Sequence, residues 1–232
     1  MPKKIVDLND FKIEVEDGKF VGDLNDAKAM VQDARAKLAR VIAWGITKKD
    51  QPRFKLCMET YFRVPPTATE AVYNAAARTV MANLNELNIE LQSNELTLSP
   101  VVLTDATADA AAYVMRHIPD ALKDAVFGDN PLKRASFYGA IHLRFDKLHP
   151  VGTAAGNLIH EGTHRFLGTR DWSYAVNFDM IGYEETHRNM GIEPPTPPKS
   201  VNSIKAWYEM SVSEALNNAD SYAGFVIHLT CT

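Results

Sequence analysis

The apolar residues in the first 90 positions recur at the spacing of two helices. Between residues 23 and 44 they return every three or four positions, the period of a helix with one buried side. Asp23 is a suitable N-cap for this helix, and Gly45 is a suitable residue to end it. A second stretch with the same period, 71–87, follows two prolines. The predicted buried positions are Ala27, Met30, Val31, Ala34, Leu38, Val41 and Ile42 in the first helix, and Val72, Ala75, Ala76, Val80 and Leu84 in the second.

The pattern changes after the second predicted helix. Three short stretches, 89–91, 112–115 and 137–145, are rich in residues that favour strands. Turn-forming sequences such as Ser-Pro and Asp-Asn-Pro separate them. These stretches predict a small mixed sheet in the middle of the chain.

Helical spacing returns in the second half of the chain, at 153–167 and again at 211–229. The residues between these two stretches are irregular and include a proline-rich segment. We therefore expect an α+β fold with additional N-terminal helices. The whole chain, 1–232, is predicted to form one domain, with an N-terminal helical part over 1–70 and a catalytic part over 70–232.

The composition is that of a soluble globular protein able to bury a sizeable core. Of 232 residues, 46% are hydrophobic and 23% are charged. The formal net charge is −4, with the basic residues scattered, so a nucleic-acid partner is not expected. The two cysteines, Cys57 and Cys231, allow one optional disulfide and cannot be the main source of stability.

Membrane and export signals are not evident in the sequence. No stretch of 18 apolar residues is present, so no membrane span is expected. The N-terminal lysines are followed by acidic residues before an apolar signal core can form. The expected location is therefore the cytoplasm, or the cell exterior by a route that needs no classical signal. The oligomeric state is left open.

One stretch contains a candidate for catalytic chemistry. His160, Glu161 and His164 form the motif His-Glu-x-x-His within the predicted helix at 153–167. Since four residues of an α-helix turn through about 400°, the two imidazoles stand on one face and can share a metal ion. Glu161 lies about 100° round the helix and can reach a water molecule without being a ligand. This is the arrangement that a zinc hydrolase needs.

Two histidines leave a tetrahedral zinc site one protein ligand short, and two downstream carboxylates are candidates. In a continuous helix, Asp171 would lie about 10 Å along the axis from His164. Gly168 is a suitable left-handed end for the helix, after which the chain can turn Asp171 back toward the histidines. Glu184 is the alternative, at roughly the distance where thermolysin-like enzymes have their ligand glutamate, but it lacks their Asn-Glu-x-x-x-Asp surroundings. The sequence favours Asp171.

The residues after this helix resemble a known family. Residues 168–175 have the sequence Gly-Thr-Arg-Asp-Trp-Ser-Tyr-Ala. The aspzincin metallopeptidases, the group of deuterolysin and peptidyl-Lys metalloendopeptidase, have Gly-Thr-x-Asp-x-x-Tyr-Gly after the same His-Glu-x-x-His motif. Only the last position differs, where Ala175 replaces glycine. The later segment 218–222, Asn-Ala-Asp-Ser-Tyr, is similar to a segment of that family. The resemblance covers roughly residues 70–230 and is most specific after Leu158.

The resemblance implies a zincin-like fold and a role for each matching residue. The implied zinc ligands are His160, His164 and Asp171, with one zinc ion per chain. Glu161 would be the general base, and Tyr174 would donate a hydrogen bond to the oxyanion of the tetrahedral intermediate. The alternative for Tyr174 is a half-buried aromatic residue that only packs.

Asp220 matches the acidic residue at the floor of the family's S1′ pocket, and would therefore bind substrate. Lysine-specific members have a glutamate three positions later, where this chain has Ala223. The expectation is a preference for a basic P1′ residue rather than strict lysine specificity. The alternative is that Asp220, which flanks the apolar stripe of the last predicted helix, caps or orients its neighbours.

The sequence therefore predicts a zinc-dependent metalloendopeptidase. Its expected fold is α+β and zincin-like, with a small mixed sheet, an active-site helix and additional N-terminal helices. Its expected partner is a protein or peptide substrate. One alternative is a zinc amidase acting on cell-wall peptide, and another is a zinc-containing effector or binding domain without turnover.

Overall fold

The fold was determined as a computed structural model. It describes residues 13–45, 52–92, 98–100, 112–116, 138–143, 153–197, 199 and 203–230. The helices in this part of the chain are α1 (Ile13–Trp44), α2 (Pro52–Phe62), α3 (Glu70–Gln92), α4 (Thr153–Leu167), α5 (Met180–Asn189), α6 (Val212–Ala215) and α7 (Ala219–Thr230). The strands are β1 (Leu98–Pro100), β2 (Ala112–Arg116) and β3 (Tyr138–Leu143), and short 3-10 helices form at Val176–Phe178 and Trp207–Glu209.

The α+β, zincin-like class predicted from the sequence is wrong, because the described part of the chain is mainly helical. Helices α1, α3 and α4 have 32, 23 and 15 residues. The strands have only 3, 5 and 6 residues. They lie in the order β1-β3-β2, with β1 parallel and β2 antiparallel to β3. Helices α2 and α5 form where no helix was predicted, and this shifts the balance away from the sheet.

Helix α1 begins earlier than predicted. It starts at Ile13 rather than at Asp23, so Asp23 lies within the helix and does not cap it. The predicted end is confirmed: Trp44 is the last helical residue, and Gly45 has a positive φ of 92°.

Helix α3 extends past its predicted end and includes 89–91, which was wrongly predicted as a strand. Leu87 and Leu91 are both fully buried and lie one turn apart. Ile89 is 58% exposed, as expected for a residue on the opposite side of this helix. The buried helical stripe therefore outweighs the strand preference of these few residues.

The chain forms two compact units, and the first comprises Met1–Ala29 and Glu86–Gly168. Helix α4 packs against β2 and β3. The central strand β3 contributes Ile141, which is fully buried and pairs with Leu98 on one side and Val114 on the other. Leu158 and Ile159 of α4 are also fully buried.

The second unit comprises Met30–Asn85 and Thr169–Thr232. Its core is aromatic: Phe62 of α2 contacts Tyr222 and Phe225 of α7, with ring centroids 5.2 and 5.1 Å apart. Tyr61 makes an edge-to-face contact with Trp207 at 6.4 Å. All five side chains are fully buried. Helix α7 thus serves as the central element of this unit.

Helix α7 is shorter than the predicted 211–229 helix. A capped turn, α6, precedes it, and the helix is interrupted between Ala215 and Ala219. Ser211 caps α6 through a reciprocal pair of hydrogen bonds with Glu214. The break matters because Asn218 pairs there with Arg170 in an isolated parallel β-bridge.

Replacing Gly224 with alanine is expected to destabilise the protein. A Cβ at this position would collide with the Tyr61 ring and lie 2.8 Å from the Phe178 carbonyl oxygen. We expect the free energy of unfolding to fall by about 1–3 kcal/mol, measured by urea denaturation. Gly22→Ala is the matched control, since Gly22 is helical with no heavy atom within 4 Å of its Cβ position. That change should raise stability by about 0.5–1 kcal/mol, and equal effects of the two changes would contradict the packing argument.

Candidate metal centre

Helix α4 has the bounds predicted from the sequence, Thr153–Leu167. The helix packs against strands β2 and β3, and its polar motif residues are buried. His160, Glu161 and His164 are 6%, 6% and 4% exposed. Burying three ionisable groups on one helix is costly unless each finds a partner, so this cluster is unlike an ordinary helix surface.

The two histidines face each other one turn apart. Their Nε2 atoms are 3.0 Å apart, and the ring planes are nearly perpendicular, at 86°. Zinc bound to two imidazole nitrogens at the usual lengths and the tetrahedral angle would hold them about 3.3 Å apart. The Thr163 hydroxyl donates a hydrogen bond of 2.8 Å to the His160 carbonyl oxygen on the same turn. The imidazole pair therefore fits a shared metal ion.

The carboxylate of Glu161 lies beside this pair. Its Oε1 atom is 3.9 Å from Nε2 of His160. This distance is longer than a direct hydrogen bond and leaves the carboxylate close to the histidine nitrogens. Within the described residues, Glu161 is outside the group of side chains that could share a metal ion.

The end of α4 is as predicted. Gly168 directly follows the last helical residue, has a φ of 67°, and donates a 3.2 Å hydrogen bond from its N–H to the His164 carbonyl oxygen. The chain leaves the helix axis there, as the Asp171 hypothesis required. One ligand atom from each of His160, His164 and Asp171 lies within 4.8 Å of the other two. These three residues form a group that can hold a metal ion.

Glu184, the alternative third ligand, has other partners. Its Oε2 atom is 2.7 Å from the Arg188 guanidinium, and its Oε1 atom accepts a 3.2 Å hydrogen bond from the Tyr208 hydroxyl. Burial and the nearby Glu184 carboxylate raise the pKa of Tyr208 to about 12. The guanidinium of Arg63 lies over the Tyr208 ring at 5.2 Å. Within the described residues, Glu184 is not in the metal-ligand group.

Tyr174 lies three residues after Asp171 and is half-buried. The backbone amides on either side of it are held in place, because each donates a hydrogen bond to a buried side chain. The Ser173 N–H donates to Asn218 Oδ1 at 3.1 Å, and the Ala175 N–H donates to Asp220 Oδ2 at 2.6 Å. The oxyanion role of Tyr174 stays a prediction.

Asp220, the predicted substrate-binding residue, is only 2% exposed. Its carboxylate is bound to the backbone of the 168–175 segment, as the hydrogen bond from Ala175 shows. This contact agrees with the alternative in which Asp220 orients its neighbours. The S1′ role is a prediction that no contact in the described residues tests.

Sequence reasoning did not identify Asn218 as an anchor, or the cations that flank Trp172. The Arg170 guanidinium and the Lys205 ammonium lie 6.0 and 5.8 Å from the centre of the Trp172 ring. The backbone N–H of Lys205 also donates to the Trp172 carbonyl oxygen at 2.8 Å. The sequence pointed to Asn218 only through its place in the segment 218–222. No local pattern identifies the Ser173 N–H as its partner.

Cys57 offers no competing nucleophile. It is free and fully buried, and burial raises the pKa of its thiol to about 12. Cys231, which could have paired with it, lies outside the described residues.

Comparison with known proteins gives no relative for the chain: neither a scan of protein-family models nor a search of curated proteins finds a match. The resemblance to the aspzincins therefore rests on the motif residues alone. None of the helices in the described ranges is both long and apolar enough to cross a membrane.

Proposed function

We propose that this protein is a zinc-dependent metalloendopeptidase that uses His160, His164 and Asp171 as metal ligands. One observation supports this most strongly: two buried imidazole nitrogens 3.0 Å apart are grouped with a carboxylate, and a second carboxylate lies 3.9 Å away. Two nitrogens and one carboxylate oxygen are a donor set that suits zinc and leaves a coordination position open. One zinc ion is proposed per chain.

When bound, zinc would polarise the scissile carbonyl and lower the pKa of a water molecule. Glu161 is the residue that would accept a proton from the attacking water and transfer it to the leaving amine. Its burial on α4 excludes bulk water from the carboxylate, and the helix fixes its distance from His160. Tyr174 donates its hydroxyl hydrogen bond to the oxyanion that forms on the scissile carbonyl.

The proposed substrate is a protein or peptide. The support is the resemblance of residues 160–174 to the aspzincin motif, where the spacing of His160, His164, Asp171 and Tyr174 is the same. Asp220 gives little support for strict lysine specificity, because it is buried and Ala223 replaces its acidic companion. We therefore propose endopeptidase activity with at most a preference for basic P1′ residues.

The test is metal content measured with proteolysis. Purified wild-type protein should contain one zinc per chain by elemental analysis and cleave casein until a chelator is added. Loss of a residue that only hydrogen-bonds to a metal ligand weakens metal binding roughly 10–100-fold. Asp171→Ala should weaken zinc binding by more than this, and should abolish cleavage. The reason is that two imidazoles alone cannot complete the site.

Glu184→Gln is the matched control, because the glutamine oxygen can still accept from Arg188 and its amide can donate to the Tyr208 hydroxyl, while the charge is removed. It should bind zinc as the wild type does. Zinc loss in Glu184→Gln with normal zinc in Asp171→Ala would assign the third ligand to Glu184 and contradict the proposal. Zinc bound by the wild type without cleavage of any protein or peptide would leave a metal-binding domain that is not a peptidase.

A further inference from the structure

The segment that joins α4 to the following 3-10 helix, residues 168–175, has little regular structure of its own. It carries both Asp171 and Tyr174. Its one described regular feature is the parallel bridge between Arg170 and Asn218. A segment of this kind has a defined position only if other parts of the chain bind its backbone.

The start of α7 supplies these bonds through its backbone. The Arg170 N–H donates to the Asn217 carbonyl oxygen at 2.9 Å, and the Ala219 N–H donates to the Arg170 carbonyl oxygen at 3.1 Å. Both hydrogen bonds are made by the residue directly before Asp171. The break between α6 and α7 makes them possible, because a continuous helix would use these groups internally.

The side chain of Asn218 adds a second attachment on the other side of Asp171. It is fully buried, and its Oδ1 atom accepts from the Ser173 N–H at 3.1 Å. Its Nδ2 atom donates to the Ser221 hydroxyl at 3.1 Å, which fixes the orientation of the amide. Asn218 thus holds the backbone two residues after Asp171 and one residue before Tyr174.

Asp220 provides the third attachment. Its Oδ2 atom accepts from the Ala175 N–H at 2.6 Å, and the side chain is 2% exposed. A hydrogen bond to an ionised acceptor is about twice as strong as one between neutral groups. The bond fixes the backbone directly after Tyr174.

We propose that Asn218 and Asp220 are positioning residues: Asn218 sets the position of the metal ligand Asp171, and Asp220 sets that of Tyr174. This inference rests on the proposed function, since it assigns these residues to the same site. It also replaces the substrate-binding role expected for Asp220 with a role toward the backbone. The two residues lie 45 positions from the backbone groups that they bind.

The experiment measures binding of Co²⁺ alone, without substrate, to the full-length protein. Cobalt replaces zinc in tetrahedral sites, and the intensity of its visible absorption bands reports the coordination geometry. Asn218→Ala should raise the Co²⁺ dissociation constant by about 10–100-fold and weaken these bands, because the Asp171 carboxylate is no longer held. Asp220→Asn, which retains an acceptor for Ala175, should bind Co²⁺ as the wild type does.

The positioning role of Asp220 is tested by steady-state kinetics on a series of peptide substrates. Asp220→Ala should lower kcat about tenfold or more with little change in KM, whereas Asp220→Asn should restore kcat. Neither variant should change the preference between lysine and norleucine at P1′. A loss of basic preference in both variants would make Asp220 a substrate contact and overturn this assignment.

Thr230→Val is the control for general damage to α7. Its hydroxyl donates to the Val226 carbonyl oxygen at the far end of the helix, so metal binding should be unchanged.

If circular dichroism shows that Asn218→Ala does not fold, Ser221→Ala tests the same point, because it releases the Asn218 amide. A smaller loss of Co²⁺ affinity is then expected. A folded variant at either position with wild-type Co²⁺ affinity and spectrum overturns the positioning role and leaves the proposed function standing. Failure of the wild type to bind Co²⁺ or Zn²⁺ overturns the proposed function as well.

Discussion

Replacing Glu161 with glutamine is expected to lower the rate of peptide hydrolysis by a factor of about 10²–10⁴, the usual contribution of general acid–base catalysis. Glutamine has nearly the same shape as glutamate but cannot accept a proton at neutral pH. Glu161 is 6% exposed and lies 3.9 Å from His160.

The loss should be in kcat, and the metal should stay bound. The three proposed ligands are unchanged in Glu161→Gln, so elemental analysis should still find one zinc per chain. Glu185→Gln is a suitable control, because Glu185 is an exposed glutamate of α5 and its substitution should leave the rate unaltered. Full activity in Glu161→Gln with zinc bound would exclude Glu161 as the general base.

Replacing Trp207 with alanine is expected to have the largest effect on stability, a fall of about 3–5 kcal/mol in the free energy of unfolding. Trp207 is the largest of the fully buried side chains and makes an edge-to-face contact with Tyr61. Alanine would leave a cavity that the surrounding aromatic core can fill only in part. The loss is a large share of the 5–15 kcal/mol that stabilises a typical domain.

Two other variants separate this packing effect from the loss of a tryptophan as such. Trp44→Ala should cost little, because Trp44 is 64% exposed at the end of α1. Trp207→Phe should cost less than alanine, since it keeps most of the ring and removes an indole N–H that has no acceptor among the described residues. Urea denaturation followed by circular dichroism measures all three, and equal losses for Trp44→Ala and Trp207→Ala would contradict the prediction.

The features that the sequence predicted correctly depend on residues a few positions apart. The bounds of α4 and its end at Gly168 follow from helical spacing and from the conformational freedom of glycine, and the structure has both. The failures have a different origin. Residues 89–91 favour strands locally, but the burial of Leu87 and Leu91 on one helical face decides their structure.

Helix α2 shows a signal that was present but not used. Its buried residues Phe54, Cys57, Met58 and Tyr61 recur at helical spacing, although the segment is only 11 residues long. Short helices of this kind are marginal by themselves and form because the rest of the core covers their apolar side. Because such helices form in addition to the predicted ones, the described part of the chain is mainly helical, and the predicted α+β class was wrong.

The sequence by itself determined the spacing of His160, Glu161 and His164, because an α-helix turns four residues into one face wherever it forms. Only the tertiary structure decided that Asp171 lies with the two histidines while Glu184 binds Arg188 and Tyr208. It also decided which residues hold the segment around Asp171. Those hydrogen bonds join groups 45 positions apart, and contacts over such a separation leave no periodic trace in the sequence.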